Sequence, residues 1–141
     1  MKELNTTIDI QAPAETVWKI LTDFPAYADW NPFITRASGE IFPGAKLSIH
    51  ITPPGRKGMT FHPTVTNVIP KQELRWLGHL FLPGLFDGEH IFLLHEKVEG
   101  FTRFEQKEKF TGILTPLLHL EKTKLGFEMM NRALKQRAET P

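Results

Sequence analysis

Cysteine is absent from the sequence. Disulfides, zinc–thiolate centres and a cysteine nucleophile are therefore excluded. Long apolar runs are absent too, and a membrane-spanning helix needs about 20 apolar residues. We expect no stable membrane insertion. The first residues, MKELNTTIDI, lack the apolar core of a signal peptide. A cytoplasmic protein is expected on that ground, and the sequon at Asn5-Thr6-Thr7 is then a chance match. Neither sign of charge is in excess. Lys and Arg number 17 against 16 Asp and Glu, for a net charge of +1, and no dense basic cluster occurs. This argues against nucleic acid as a partner. A phosphate-binding loop, a dinucleotide glycine fingerprint and a serine-nucleophile motif are also missing.

Aromatic residues, by contrast, are concentrated. The stretch DFPAYADWNPF, from Asp23 to Phe33, holds two phenylalanines, a tyrosine, a tryptophan and two prolines. Such stiff apolar surface needs a tertiary role, because the prolines prevent a strand or a long helix from forming there.

Around that stretch the hydrophobic period changes. TTIDIQ alternates as a first strand. PAETVWKILTDF follows as a helix, with Pro13 in its first turn and Val17, Trp18, Ile20 and Leu21 on its apolar stripe. Pro25 ends or interrupts it, and AYADW makes at most a short second helix. The period is then two. Strands are predicted at Phe33 to Ala37, Ala45 to Thr52, Thr60 to Ile69, Glu73 to Leu80, Glu89 to Val98 and Phe101 to Phe110. The turns SGEIFPG, PPGRKG, PKQ, LPGLFDG and VEG separate most of them. A final helix has Thr115-Pro116 as cap and first turn. Leu120, Phe127, Met130, Ala133 and Leu134 share one face of it, and Glu121, Lys124, Glu128, Arg132 and Lys135 the other. An antiparallel sheet with helices collected on one face is an α+β architecture, and the last helix must bury its stripe on the sheet.

The segment APAETVWKILTDFPAYADWNPF resembles the N-terminal signature of the START-like or SRPBCC superfamily. That superfamily includes polyketide cyclase/dehydratase-like and lipid-transfer proteins. FHPTVTNVIPKQELRWLG, LFDGEHIFLL, EKFTGIL and GFEMMNRALKQRAE resemble its later strands and terminal helix. The resemblance covers nearly the whole chain and implies a single domain over residues 1–141. It implies a helix-grip fold, with a seven-stranded curved antiparallel sheet around a long C-terminal helix. Two short helices follow the first strand, and a cavity lies between sheet and helix. DFPAYADWNPF would then close one end of the cavity; the alternative is that its aromatics fill a solid core. A cavity of roughly 300–1,000 Å³ is expected, the usual range for ligand sites.

Strand phase nominates the residues facing that space. In FTRFEQKEKF, Phe104 and Phe110 mark the inner face, so Gln106 and Glu108 face inward too, while Arg103, Glu105, Lys107 and Lys109 face out. A three-residue connection, Val98-Glu99-Gly100, pairs Leu94 with Phe104, Phe92 with Gln106, and His90 with Glu108. A carboxylate on an apolar face needs a partner. His90 and Glu108 are therefore candidates for acid/base work or for orienting a ligand, and equally for a satisfied buried polar pair. The further candidates for ligand contact are Trp30, Phe33, Leu47, Ile49, Phe61, Val65, Trp76, Phe86, Phe92, Leu94, Phe104, Gln106, Phe110, Phe127 and Met130. The six histidines show no metal-ligand spacing, and neither metal nor other cofactor is expected. HLFLPGLFDG is apolar for a loop, and Leu82 to Phe86 is expected to form a mobile, partly exposed lip of the cavity. Gly126, inside the apolar stripe of the last helix, points to close packing or a bend.

Three functions follow from these readings. One is a binding module for a hydrophobic or aromatic small molecule or lipid. The second is a cyclase-, dehydratase- or hydrolase-like enzyme using His90 and Glu108. The third is a partner-binding, co-chaperone-like role, for which the sequence names no protein partner.

Overall fold

The computed structural model describes residues 1–80 and 82–140. Strand β1 (Lys2–Ile10) leads into helix α1 (Ala14–Thr22). Pro13 sits at the N-cap, just before the helix, with extended backbone. After Thr22 the chain makes a 3-10 turn, Phe24–Ala26, and a one-turn helix α2, Tyr27–Trp30. Pro25 lies in that 3-10 turn, where its missing N–H costs nothing. The strands are β2 (Ile34–Ser38), β3 (Ser48–Ile51), β4 (Met59–Phe61), β5 (Thr64–Ile69), β6 (Glu73–Leu80), β7 (Phe86–Val98) and β8 (Phe101–Thr111). Helix α3 (Glu121–Glu139) closes the chain.

Every strand pairing is antiparallel. One ladder runs β1-β8-β7-β6-β5 and the other β2-β3-β4. The two are stitched together where Lys46 bridges Thr64 and the amides of Leu47 and Val65 bond to the carbonyls of Pro63 and Ala45. This is the expected α+β helix-grip architecture, a curved sheet with the C-terminal helix against it.

Four details differ from expectation. The described residues form eight strands in place of seven, because the predicted strand Thr60 to Ile69 breaks at His62-Pro63. Pro63 has no amide to donate, and here the chain changes partner from β3 to β6. The predicted turn LPGLFDG stops at Leu85, so β7 starts at Phe86 and takes Gly88 into the sheet. The β7–β8 connection is tighter than predicted. Val98 pairs with Phe101 around Glu99-Gly100, and a bulge between His95 and Val98 restores the predicted register beyond it. Gly100 takes the left-handed conformation with φ 82°. Finally, Thr115-Pro116 does not begin the last helix. Thr115–Leu117 is an isolated 3-10 turn, and Leu118 is extended before α3 starts at Glu121. The Lys2 ammonium donates to the Leu118 carbonyl at 2.7 Å and holds that linker against β1.

The aromatic segment packs mainly into the core, as the solid-core alternative has it, and of its rings Phe33 also borders the pocket beside Gly78 and Gly88. Phe24 and Tyr27 are buried with ring centroids 5.3 Å apart, and Tyr27 donates its hydroxyl to the Leu21 carbonyl. Phe33 lies edge-on to Phe127 of α3 at 5.4 Å. Gly126 explains how the ring comes so close, since a methyl group there would overlap Phe33. The close-packing expectation for this glycine therefore holds.

Candidate functional site

The inner face of the large ladder is a set of cross-strand rows. Leu74, Phe92, Gln106 and Thr6 form one row, and Trp76, His90, Glu108 and Leu4 the next. A third row runs Gly78, Gly88, Phe110 and Lys2. Two adjacent inward positions in this last row carry no side chain. A half-open pocket of about 140 Å³ lies there. Gly78 and Gly88 line it with Phe33, Phe61, Phe86, His90, Glu108 and Phe110. Ile51, Met59, His79, Asp87, Leu118 and Thr123 complete the lining.

This is smaller than the volume expected from the sequence. The reason is that large rings occupy the rest of the inner face. Trp76 stands 5.2 Å from Phe92, and Phe92 stacks on Phe104 at 5.9 Å. Of the expected contact residues, Leu47, Ile49, Val65, Trp76, Phe92, Leu94, Phe104, Phe127 and Met130 pack in this buried core. Gln106 is buried with them as a polar member. Trp30 lies away from the pocket, in a surface groove with Ile20, Asp29 and Arg137.

His90 sits at the boundary between filled and open regions. Its ring centroid is 4.5 Å from Phe92, 5.0 Å from Phe127 and 5.2 Å from Trp76. That apolar enclosure disfavours the imidazolium and lowers the His90 pKa to about 4, against a weaker opposing effect of its bond to Gln106. Nε2 of His90 lies 2.9 Å from Oε1 of Gln106. Nδ1 faces Glu108 Oε1 at 3.6 Å, too far for a hydrogen bond. Glu108 extends over Gly88, where a methyl group would collide with its carboxyl. Burial pushes the Glu108 carboxyl up to about 8. At neutral pH the pair is accordingly a neutral imidazole beside a largely protonated acid.

A polar chain holds His90 from behind. The Gln106 amide donates to Asn131 Oδ1 at 2.8 Å and to the Phe127 carbonyl at 3.4 Å. Asn131 donates to the Thr6 hydroxyl at 2.9 Å, and Thr6 donates to the Gln106 backbone carbonyl at 2.8 Å. Sequence reasoning missed Asn131 and Thr6. Asn131 lies next to Met130 on the helix stripe, and only packing reveals that it turns inward. Gly78 and Gly88 carried a readable signal, because glycine inside a strand often marks close approach of another group.

At the mouth, His79 Nδ1 lies 2.6 Å from Asp87 Oδ1, and the same carboxylate accepts from the Gly84 amide. These bonds hold the Asp87 pKa below the usual range. They also pin the turn of the expected lip, whose carbonyls at Gly84 and Leu85 accept from Ile113 and Leu114. Leu82 is 65% exposed while Phe86 lines the pocket. Phe81, part of the same apolar run, lies outside the described residues. Among the described residues no group of three or more His, Asp or Glu is placed to hold a metal ion.

The sequence model of the family described as "Polyketide cyclase / dehydrase and lipid transport" matches residues 1–140. The chain belongs to this family. No curated protein matches the sequence. Solved structures support the fold. The ginseng major latex-like protein 151 from Panax ginseng superposes with a TM-score of 0.80 at 10% identity, covering 99% of this chain and 98% of that one. A START superfamily protein from Mycobacterium smegmatis gives 0.73 at 20% identity, with 97% of both chains covered. The Zhui aromatase/cyclase from a Streptomyces species gives 0.71 at 17% identity, covering 98% and 93%. At these identities the likeness is one of fold.

Proposed function

We propose that this member of the family binds a small hydrophobic or aromatic molecule, with one ring-sized part inserted over Gly78 and Gly88. The observation that carries the reading is the half-open pocket of about 140 Å³, mostly apolar, with His90 and Glu108 on one side, the His79–Asp87 pair at its mouth, and Thr123. An apolar cavity of about 150 Å³ is known to take a benzene-sized guest. The rest of a larger ligand would extend past Phe86 and Leu118 toward solvent. A net charge of +1 without a basic cluster gives nucleic acid no electrostatic footing.

Toluene is a suitable first probe. It should perturb the amide resonances of Gly78, Gly88 and Phe110 saturably. Gly78→Leu, which puts an isobutyl group into the pocket, should abolish the effect. Saturable perturbation elsewhere, unaffected by Gly78→Leu, would sink the pocket as the binding site.

A second reading is favoured by the acid–imidazole pair itself. A protonated Glu108 beside a neutral His90 is an acid and a base held in one apolar site, which suits a dehydration or cyclisation. Mass change of a bound compound on incubation, lost in Glu108→Gln, would move the conclusion from binding to catalysis.

A further inference from the structure

The polar chain behind the pocket has a fixed sense, and that sense restricts the ligand. A backbone carbonyl only accepts, so Thr6 must donate to the Gln106 carbonyl. The Thr6 oxygen then accepts from Asn131 Nδ2, and Asn131 Oδ1 accepts from Gln106 Nε2. Gln106 is left with Oε1 as an acceptor toward His90, so the neutral ring carries its hydrogen on Nε2. His90 Nδ1 is accordingly a lone pair, aimed at the Glu108 carboxyl across a 3.6 Å gap. The Glu108 carboxyl has no hydrogen-bond partner among the described residues, and both groups line the pocket.

No lysine or arginine lines the pocket, and its other imidazole, His79, is engaged by Asp87. A bound carboxylate or phosphate would therefore find no counter-charge in the lining, and the ammonium of Lys2, in the row of Gly78 and Gly88, is bonded to the Leu118 carbonyl. We infer, building on the binding reading above, that the pocket selects a neutral hydroxyl group carried on an apolar ring. The hydroxyl donates to His90 Nδ1 and accepts from Glu108. An oxygen about 2.8 Å from each atom would stand to one side of the 3.6 Å line joining them, with an angle of roughly 80° at the oxygen. A methyl in the same place would leave both polar groups unpaired.

The test compares four probes built on one tolyl ring at pH 6, followed by protein NMR: toluene, p-cresol, p-toluate and p-methylbenzylamine. We expect p-cresol to bind on the order of ten-fold more tightly than toluene, the gain of one to two net hydrogen bonds. Glu108→Leu should shrink that preference to what the bond to His90 Nδ1 alone supplies, while toluene still binds. Glu108→Gln, which keeps a donor, should retain most of it. Equal affinity for p-cresol and toluene would overturn the hydroxyl assignment and leave the binding reading standing. Tighter binding of p-toluate or p-methylbenzylamine than of p-cresol would overturn it in favour of a charged ligand. If none of the four bound, both the assignment and the pocket reading would fail.

Discussion

The two ends of the sheet's inner face share register, strands and neighbouring helix, yet one is solid and the other open. In the row Leu74–Phe92–Gln106–Thr6 every position carries a side chain, and all four residues are buried. Two rows away, Gly78 and Gly88 stand side by side and the pocket lies over them. A pocket in this fold therefore needs no special backbone. It is a packing vacancy beside Gly78, while the missing side chain at Gly88 makes room for the Glu108 carboxyl, which with His90 forms the polar border.

The sharpest way to break the contrast is to empty the solid end. Phe92→Ala should cost about 3–5 kcal/mol in chemical denaturation, as buried Phe→Ala changes do. It should also let toluene bind at a second place. A cost under about 1 kcal/mol would mean that the filled end is loosely packed and the contrast overstated.

Next in size is the closure between Phe33 and α3. Gly126→Ala forces a methyl against the Phe33 ring. A loss of about 1–3 kcal/mol is expected, as for other overpacked cores. Glycine is the poorer helix former, so a net gain would show that the ring has room to retreat.

The polar border gives a pH test. The folded Glu108 pKa, about 8, lies above that of an unfolded carboxyl, so the folded state holds a proton that the unfolded state has lost. Stability from this group falls as pH rises from the unfolded carboxyl pKa to about 8. The folded His90 pKa, about 4, lies below that of a free imidazole, so the stability linked to it is lost as pH falls through 6.5 to about 4. The two slopes, each up to about 1.4 kcal/mol per pH unit, oppose one another in mildly acid solution. Glu108→Gln should remove the alkaline decline and expose the acid one. A variant whose pH–stability curve runs parallel to wild type across pH 5 to 8 would show that Glu108 is ionised in the native protein.

The smallest effect is expected at the open end. A methyl at Gly78 would meet Phe61 at 3.4 Å, ordinary contact. Gly78→Ala should therefore change stability by less than about 1 kcal/mol. Gly88→Ala should cost more, because its methyl meets the Glu108 carboxyl. Equal values for the two would mean that Glu108 swings away freely.

Much of this could be read before any fold was known. Alternation in FTRFEQKEKF put Gln106 and Glu108 on the face of Phe104, while Arg103 went outward, where it meets Asp9 at 3.0 Å. The His90–Glu108 pairing was also legible, even though the turn proposed for it was one residue too long. A bulge added what the shorter turn removed, and a bulge leaves no clear mark in a sequence. The break at His62-Pro63 was legible in principle, since proline cannot continue a ladder on both edges. The delayed start of α3 was not, because a Thr-Pro pair suits a helix start whether or not the next residues continue it.

By itself the sequence determined the periods and faces, and hence the α+β order, the terminal helix and the cross-strand meeting of His90 with Glu108. These are local properties, fixed by side-chain alternation along one strand or one helix. Only the tertiary structure decided which inward residues fill the interior and which border a space. That choice depends on volumes summed across strands that are distant in sequence. Gly88 lies opposite Gly78 and makes room for Glu108 at the border of the space, and Gln106 orients His90 because Asn131 arrives from α3 and Thr6 from β1.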